Sequence, residues 1–227
     1  MCSHYQAIKD RERFSRLFGV YPPEPEGKVD MWPGYTGVIV RRRDRSLSVR
    51  ASTPSHPGAA SMADDAARVQ ALPAVFGLLP HWARDARLVR NTFNARSETV
   101  HEKPSFRDAW RRGQRCLVGV DAVFEPDWRS GKAVATRIAR ADGEPMALAA
   151  LWAHWRPPEG ASVHSFTLLT VNADAHPLMR NMHRPGEEKR MVLVLPRTAH
   201  DDWLHAPLLR ATELLQPAAT DDLMVAN

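Results

Sequence analysis

A chain of 227 residues with 44% hydrophobic side chains can enclose a real core, and 31 basic against 26 acidic residues leave a formal net charge of +5. That excess permits a polyanionic partner without requiring one. Of the basic residues 26 are arginine and five are lysine; the guanidinium is the better fork for phosphate, although genome composition can produce the same bias. Two cysteines, Cys2 and Cys116, exclude a disulfide framework. No Cys-x-x-Cys pair and no His-x-x-x-His pair beside an acid is present, so no metal and no other cofactor is expected. The opening MCSHYQAIKDRERF turns charged within ten residues, and no apolar run approaches a membrane span. The chain reads as a reduced, cytoplasmic protein without membrane contact.

From His4 to Phe18 the apolar residues Tyr5, Ile8, Phe14, Leu17 and Phe18 fall on one helical face that ends at Gly19, which predicts an early helix. YPPEPEGKVDMWPGY carries four prolines and reads as a loop, followed by paired strands at Thr36–Arg42 and Leu47–Ala51. Residues 52–67 are small, polar and punctuated by Gly and Pro: a surface loop or insertion. Strand-like runs follow at Ala71–Leu78, Arg115–Phe124, Ala133–Ala139, Met146–Trp155, Val163–Val171 and Arg190–Leu195, with Asp142-Gly143 as a hairpin turn. Helical pieces are expected at Lys103–Arg112, Thr198–Leu204 and Pro207–Leu215, and residues 216–227 form an extended tail. The class is α+β: one domain over residues 1–227, with a curled, largely antiparallel, barrel-like sheet flanked by short helices.

Cys2 is the first chemically pointed residue. Trimming of the initiator methionine would leave a 1,2-aminothiol, whose amine and thiol titrate near ~8 and ~8.5 in free form. An aldehyde meeting it would form an imine and then close to a five-membered thiazolidine. A small residue buried near a terminus is the plain alternative. NTFNARSET places Asn94, Arg96 and Glu98 at alternating positions, so an extended segment would present all three on one side. FGLLPHWARD joins Phe76 to Trp82 and Arg84, a combination suited to base stacking beside a phosphate contact, or to a core. The strand RCLVGVDAVFEPDW carries Glu125 beside Phe124 and Pro126, where apolar surroundings can raise a carboxyl's pKa; a rim salt bridge is the ordinary alternative. His183 lies in a loop just before the strand at Arg190, a place suited to proton transfer. Between Arg84 and Arg115 eight arginines and one lysine face four acids, a basic stretch next to NARSET.

Read together, Met-Cys, GLLPHWA, NARSET, FEPDW and HRPGEEKRM, in that order from residue 2 to about 196, resemble the SRAP (SOS response-associated peptidase) family. The resemblance implies an α+β, barrel-like fold and a thiazolidine crosslink between the N-terminal cysteine and abasic sites in single-stranded DNA, which shields the damaged site. It makes Cys2 the nucleophile, Asn94 the residue that positions sugar or cysteine, Glu125 the proton shuttle, and His183 the group that assists sugar opening and crosslink reversal. It places Arg96 and Arg190 on DNA phosphates, with Phe76 and Trp82 as DNA-binding aromatics. It implies a monomer acting as a DNA–protein crosslinking enzyme, with associated lyase and thiol peptidase or autoprocessing activity. The alternatives are a cysteine-type peptidase using Cys2 and a noncatalytic single-strand binder.

This chain departs from the family pattern at several points. It opens Met-Cys-Ser-His where the family has Met-Cys-Gly-Arg, so one expected arginine is His4. Phe76 stands where a tryptophan precedes Gly-Leu-x-Pro, and Arg190-Met191-Val192 replaces Arg-Met-Pro.

Overall fold

The computed structural model describes residues 2–24, 27–43, 68–157, 159–219 and 222–226. The expected strand at Leu47–Ala51 and the loop at 52–67 lie outside the described residues. The described strands are β1 (His4–Ala7), β2 (Asp30–Met31), β3 (Thr36–Arg42), β4 (Val69–Phe76), β5 (Asn94–Arg96) and β6 (Arg115–Asp127). They continue with β7 (Val134–Arg140), β8 (Met146–Trp155), β9 (Val163–Asn172), β10 (Arg190–Val192), β11 (Val194–Leu195) and β12 (Leu223–Val225).

Five of these strands close on themselves. β3 pairs with β4, β4 with β9, β9 with β8, β8 with β6, and β6 with β3. The ring is a β-barrel, and the other described strands extend it at its margins. Pairings are antiparallel except where β4 and β5 run parallel to β9. The α+β, barrel-like architecture expected from the sequence is therefore the one the chain adopts. Its interior is filled by Tyr5, Ile39, Phe76, Leu117, Leu148, Phe166 and their neighbours, all buried.

β6 organises the site. Its first half, RCLVGV, is buried at every position because β8 and β3 flank it. Its second half mixes buried and half-buried residues as it leaves the barrel to pair with β1 and β7. The strand runs through Glu125 to Asp127, three residues beyond its expected end at Phe124.

The early helix is shorter than its pattern suggested. His4–Ala7 is strand β1, and only Arg11–Phe18 is helix α1. Asp10 decides the boundary, since its carboxylate accepts from the backbone N–H groups of Glu12 and Arg13 and caps the helix there. Tyr5, which fitted the helical stripe, instead satisfies strand periodicity opposite Val123. Helix α1 and Ile8 before it pack closely on the barrel: a Cβ at Gly119 would lie 2.7 Å from Ile8 Cδ1 and Phe18 Cε2, so any larger residue would force those side chains to shift.

Elsewhere the corrections are smaller. Arg190–Leu195 divides into β10 on β9 and β11 on β8, with Leu193 bonding both partners: its N–H to Leu169 and its carbonyl from Ala149. Lys103–Arg112 is helical only at Arg107–Arg111. Within the tail, expected to be extended, Leu223–Val225 joins the sheet as β12 against β7.

Candidate active site

Cys2 precedes β1 and is fully buried. His4 stands opposite Phe124 in the antiparallel β1–β6 pair. Extending that register brings the residues before His4 beside those after Phe124, which is where Cys2 and Glu125 meet. The Cys2 thiol donates to the His4 carbonyl at 3.3 Å. Asn94 arrives from β5, set opposite Leu168 by parallel pairing with β9. Its Nδ2 donates to the Cys2 carbonyl at 2.7 Å. Its Oδ1 is buried and has no hydrogen-bond partner among the described residues, which leaves an acceptor for a donor brought by a ligand.

Glu125 and His183 stand side by side. Burial pushes the Glu125 carboxyl up from its ordinary 4.5 to about 7, so it exchanges protons near neutrality. Burial, and next the Glu125 carboxylate, push the Cys2 thiol far up, so the sulfur stays protonated until a base takes its proton. His183 is held in left-handed backbone at φ 63°, and its N–H donates to the Pro126 carbonyl at 2.8 Å. Its Nε2 lies 3.0 Å from the Arg190 carbonyl and 3.5 Å from Glu125 Oε2. A carbonyl only accepts, so Nε2 carries the proton. Burial lowers the His183 pKa and keeps the ring neutral at neutral pH. A buried carboxyl titrating near 7 can take up and return protons at neutral pH, and the neutral imidazole stands beside it.

The basic residues are tied to acids. Arg96 is half-exposed, and its Nη1 lies 2.9 Å from Glu188 Oε2. Arg190 is buried; its Nη1 and Nη2 each donate to Glu98 at 2.9 Å, with further bonds to Glu188 at 2.7 Å and to the Thr170 carbonyl at 2.7 Å. Glu98 does not share a strand face with Asn94, because β5 ends at Arg96 and the chain turns. It serves Arg190 instead.

Of the eight residues singled out, Cys2, Asn94, Glu125 and His183 form one cluster, with Arg96 and Arg190 at its margin. The two aromatics do not join it. Phe76 is fully buried, stacked on Phe166 and edge-on to Tyr5 and Phe93, and has no face to offer a base; the barrel interior takes it as core. Trp82 is 46% exposed on a turn that packs against Trp155 at the far end of β8, where the Trp155 indole N–H donates to the Ala83 carbonyl. Glu188, the acid that joins Arg96 to Arg190, was not singled out in the sequence.

Among the described residues, no group of three or more potential ligands could hold a metal ion, and no helix is long and apolar enough to cross a membrane.

Known proteins resemble this chain along its length. The abasic site processing protein YoqW of Bacillus subtilis (strain 168) is 31% identical over 152 residues, which cover 65% of this chain and 64% of the relative. The chain thus spans somewhat less than two thirds of that relative's length. The abasic site processing protein YedK of Escherichia coli (strain K12) is 26% identical over 212 residues, 90% of this chain and 79% of YedK. A crystal structure of a protein from Bordetella bronchiseptica superposes with a TM-score of 0.83 at 41% identity, covering 99% of this chain and 98% of that one. A second, from Bacteroides thetaiotaomicron, shares the fold at a TM-score of 0.74 and 20% identity, over 98% of this chain and 90% of that one. The SOS response associated peptidase (SRAP) family matches residues 1–227, and the chain belongs to that family.

Proposed function

We propose that this protein captures abasic sites in single-stranded DNA as a covalent adduct on Cys2. The reading requires removal of Met1, which frees the Cys2 amine. That amine attacks the aldehyde carbon of the ring-opened sugar and water leaves as the imine forms. The Cys2 sulfur then adds to the imine carbon, and its proton passes to the nitrogen, closing a thiazolidine.

The observation that carries the reading is the placement of Cys2 between Asn94, which bonds its carbonyl at 2.7 Å, and Glu125, whose carboxyl titrates near 7. Glu125 accepts and returns the protons of imine formation and ring closure. His183 assists opening of the sugar and reversal of the adduct. Arg96 contacts a phosphate by exchanging Glu188 for it. A buried thiol with a raised pKa favours the amine as first nucleophile and disfavours a thiol peptidase, which needs a ready thiolate. We place the protein in the cytoplasm, as a monomer acting without a metal.

Intact-mass measurement before and after incubation with an oligonucleotide bearing one abasic site tests the proposal. Wild type gains the mass of the oligonucleotide less water in a heat-stable adduct, and Cys2→Ala does not. An equally stable adduct from Cys2→Ser, whose oxygen closes a more labile ring, would refute thiazolidine chemistry.

A further inference from the structure

His4 is held between two aromatic rings. Its imidazole lies 4.1 Å from the Phe124 ring at an interplanar angle of 8° and 4.2 Å from the Trp32 ring at 12°. Two nearly parallel rings at these distances occupy opposite faces of the imidazole, so the three form a column with Trp32 at its outer end. His4 Nε2 lies 2.8 Å from Asp30 Oδ1, which fixes the imidazole in its plane. One face of the indole is covered by His4, yet Trp32 remains 43% exposed. The column rises from the strands that build the site: His4 is two residues from Cys2, and Phe124 immediately precedes Glu125.

The neighbouring turn carries matching chemistry. The Tyr35 N–H donates to the Trp32 carbonyl at 2.9 Å, Tyr35 is itself 37% exposed, and Lys28 Nζ stands 3.8 Å above its ring. Exposed aromatic faces interleaved with a cation are the elements of single-strand recognition, because every base offers a π-face and every step a phosphate. A flat, parallel-stacked indole face suits a flat ring, and a fourth ring continues the column.

We infer that Trp32 is the stacking platform for a nucleobase of the single strand next to the abasic sugar, held in place by the His4–Asp30 pair beneath it. The inference rests on the abasic-site reading above and adds the residue that grips the flanking base.

Wild type, Trp32→Ala and Trp32→Phe are each reacted with two single-stranded oligonucleotides sharing one abasic site. In one the site is flanked by adenines, in the other by base-free tetrahydrofuran residues. Affinities of the three proteins are measured by fluorescence anisotropy on both strands after the abasic aldehyde is reduced to an alcohol, which cannot form the adduct, and adduct formation is scored on the unreduced strands. Wild type prefers the adenine-flanked strand by about 5- to 150-fold, the range of one base–aromatic stack. The preference falls at least about fivefold in Trp32→Ala and is largely retained in Trp32→Phe. Because each ratio is taken within one protein, loss of active material cancels. Equal ratios in wild type and Trp32→Ala overturn the inference, as does a ratio lost as fully in Trp32→Phe as in Trp32→Ala. Affinity ratios behaving as stated while no adduct forms on either strand would refute the crosslinking reading alone.

Discussion

The Asn94 side chain and the Cys2 backbone, 92 residues apart in sequence, are joined by a 2.7 Å hydrogen bond that fixes the residue carrying both nucleophiles. Asn94→Ala frees the Cys2 carbonyl and should slow adduct formation by roughly 5- to 150-fold, the rate equivalent of a buried partner lost at about 1–3 kcal/mol. Asn94→Asp sets an acceptor against the carbonyl and should be slower still. Initial rates of heat-stable adduct at subsaturating DNA decide the matter; a wild-type rate in Asn94→Ala excludes a positioning role.

Glu125 links chemistry to stability. Its carboxyl titrates near 4.5 when unfolded and near 7 in the fold, so the folded state holds its proton longer. The stability this contributes is fully present below pH 4.5 and is lost as pH rises through about 7. The loss amounts to about 3 kcal/mol, at 1.36 kcal/mol per unit. Glu125→Gln removes the titration, so its urea midpoint should match wild type near pH ~4 and exceed it above about 7. The same variant should crosslink more slowly at every pH while binding DNA normally. Parallel stability curves for the two proteins across that range would show that Glu125 does not titrate there.

Strand periodicity and turn chemistry made most of the barrel legible: Met146–Trp155 is strand at both ends as expected, and Val163–Val171 lengthens by one residue. The stripe from Tyr5 to Phe18 misled because four residues of strand and eight of helix both bury apolar side chains, and only the cap at Asp10 separates them. Cys2, Asn94, Glu125 and His183 were drawn together by the family resemblance, since residue type left a plain alternative open for Cys2 and Glu125, and the structure places the four side by side. For Phe76 the sequence left core and base stacking both open, because a phenylalanine reads alike whether it stacks on Phe166 inside a barrel or on a base outside it, and the structure makes it core. The Trp32–His4–Phe124 column joins β1, β6 and the residue that follows β2 through a register that no local pattern encodes.

Arg96 and Arg190 should separate. Arg96→Ala removes a half-exposed guanidinium and should weaken single-strand binding while reducing the salt slope by about one unit, as for one phosphate contact. Glu188→Gln should tighten binding, because Arg96 then meets phosphate without a competing carboxylate. Arg190→Ala removes a buried cation whose partners Glu98 and Glu188 reach solvent, and should destabilise the fold by roughly 1–3 kcal/mol, with any binding loss following from that. Thermal melts beside salt-dependent titrations separate the two effects. A stable Arg190→Ala protein with a reduced salt slope would place Arg190 on the DNA.

His183 occupies its position for two separable reasons, backbone and ring. At φ 63° a side chain other than glycine is strained, and asparagine tolerates that conformation better than alanine, so His183→Asn should fold more stably than His183→Ala while both lack an imidazole. If the ring acts in the chemistry, both variants should form and release the adduct more slowly, by about 10²-fold or more, the usual worth of a positioned acid–base group. Burial lowers the imidazole's pKa, so its protonation belongs to the acid side of 6.5, whereas the carboxyl beside it titrates near 7. The wild-type release rate should therefore change in two steps as pH falls. The step near 7 should vanish in Glu125→Gln, and the more acidic one in His183→Asn. Pre-formed adducts chased with excess abasic DNA across roughly pH 5.5–8.5 and resolved on denaturing gels report both steps. If His183→Asn releases adduct as fast as wild type at every pH, the imidazole has no part in reversal, and the residue's role is to hold the loop against Pro126 and Arg190.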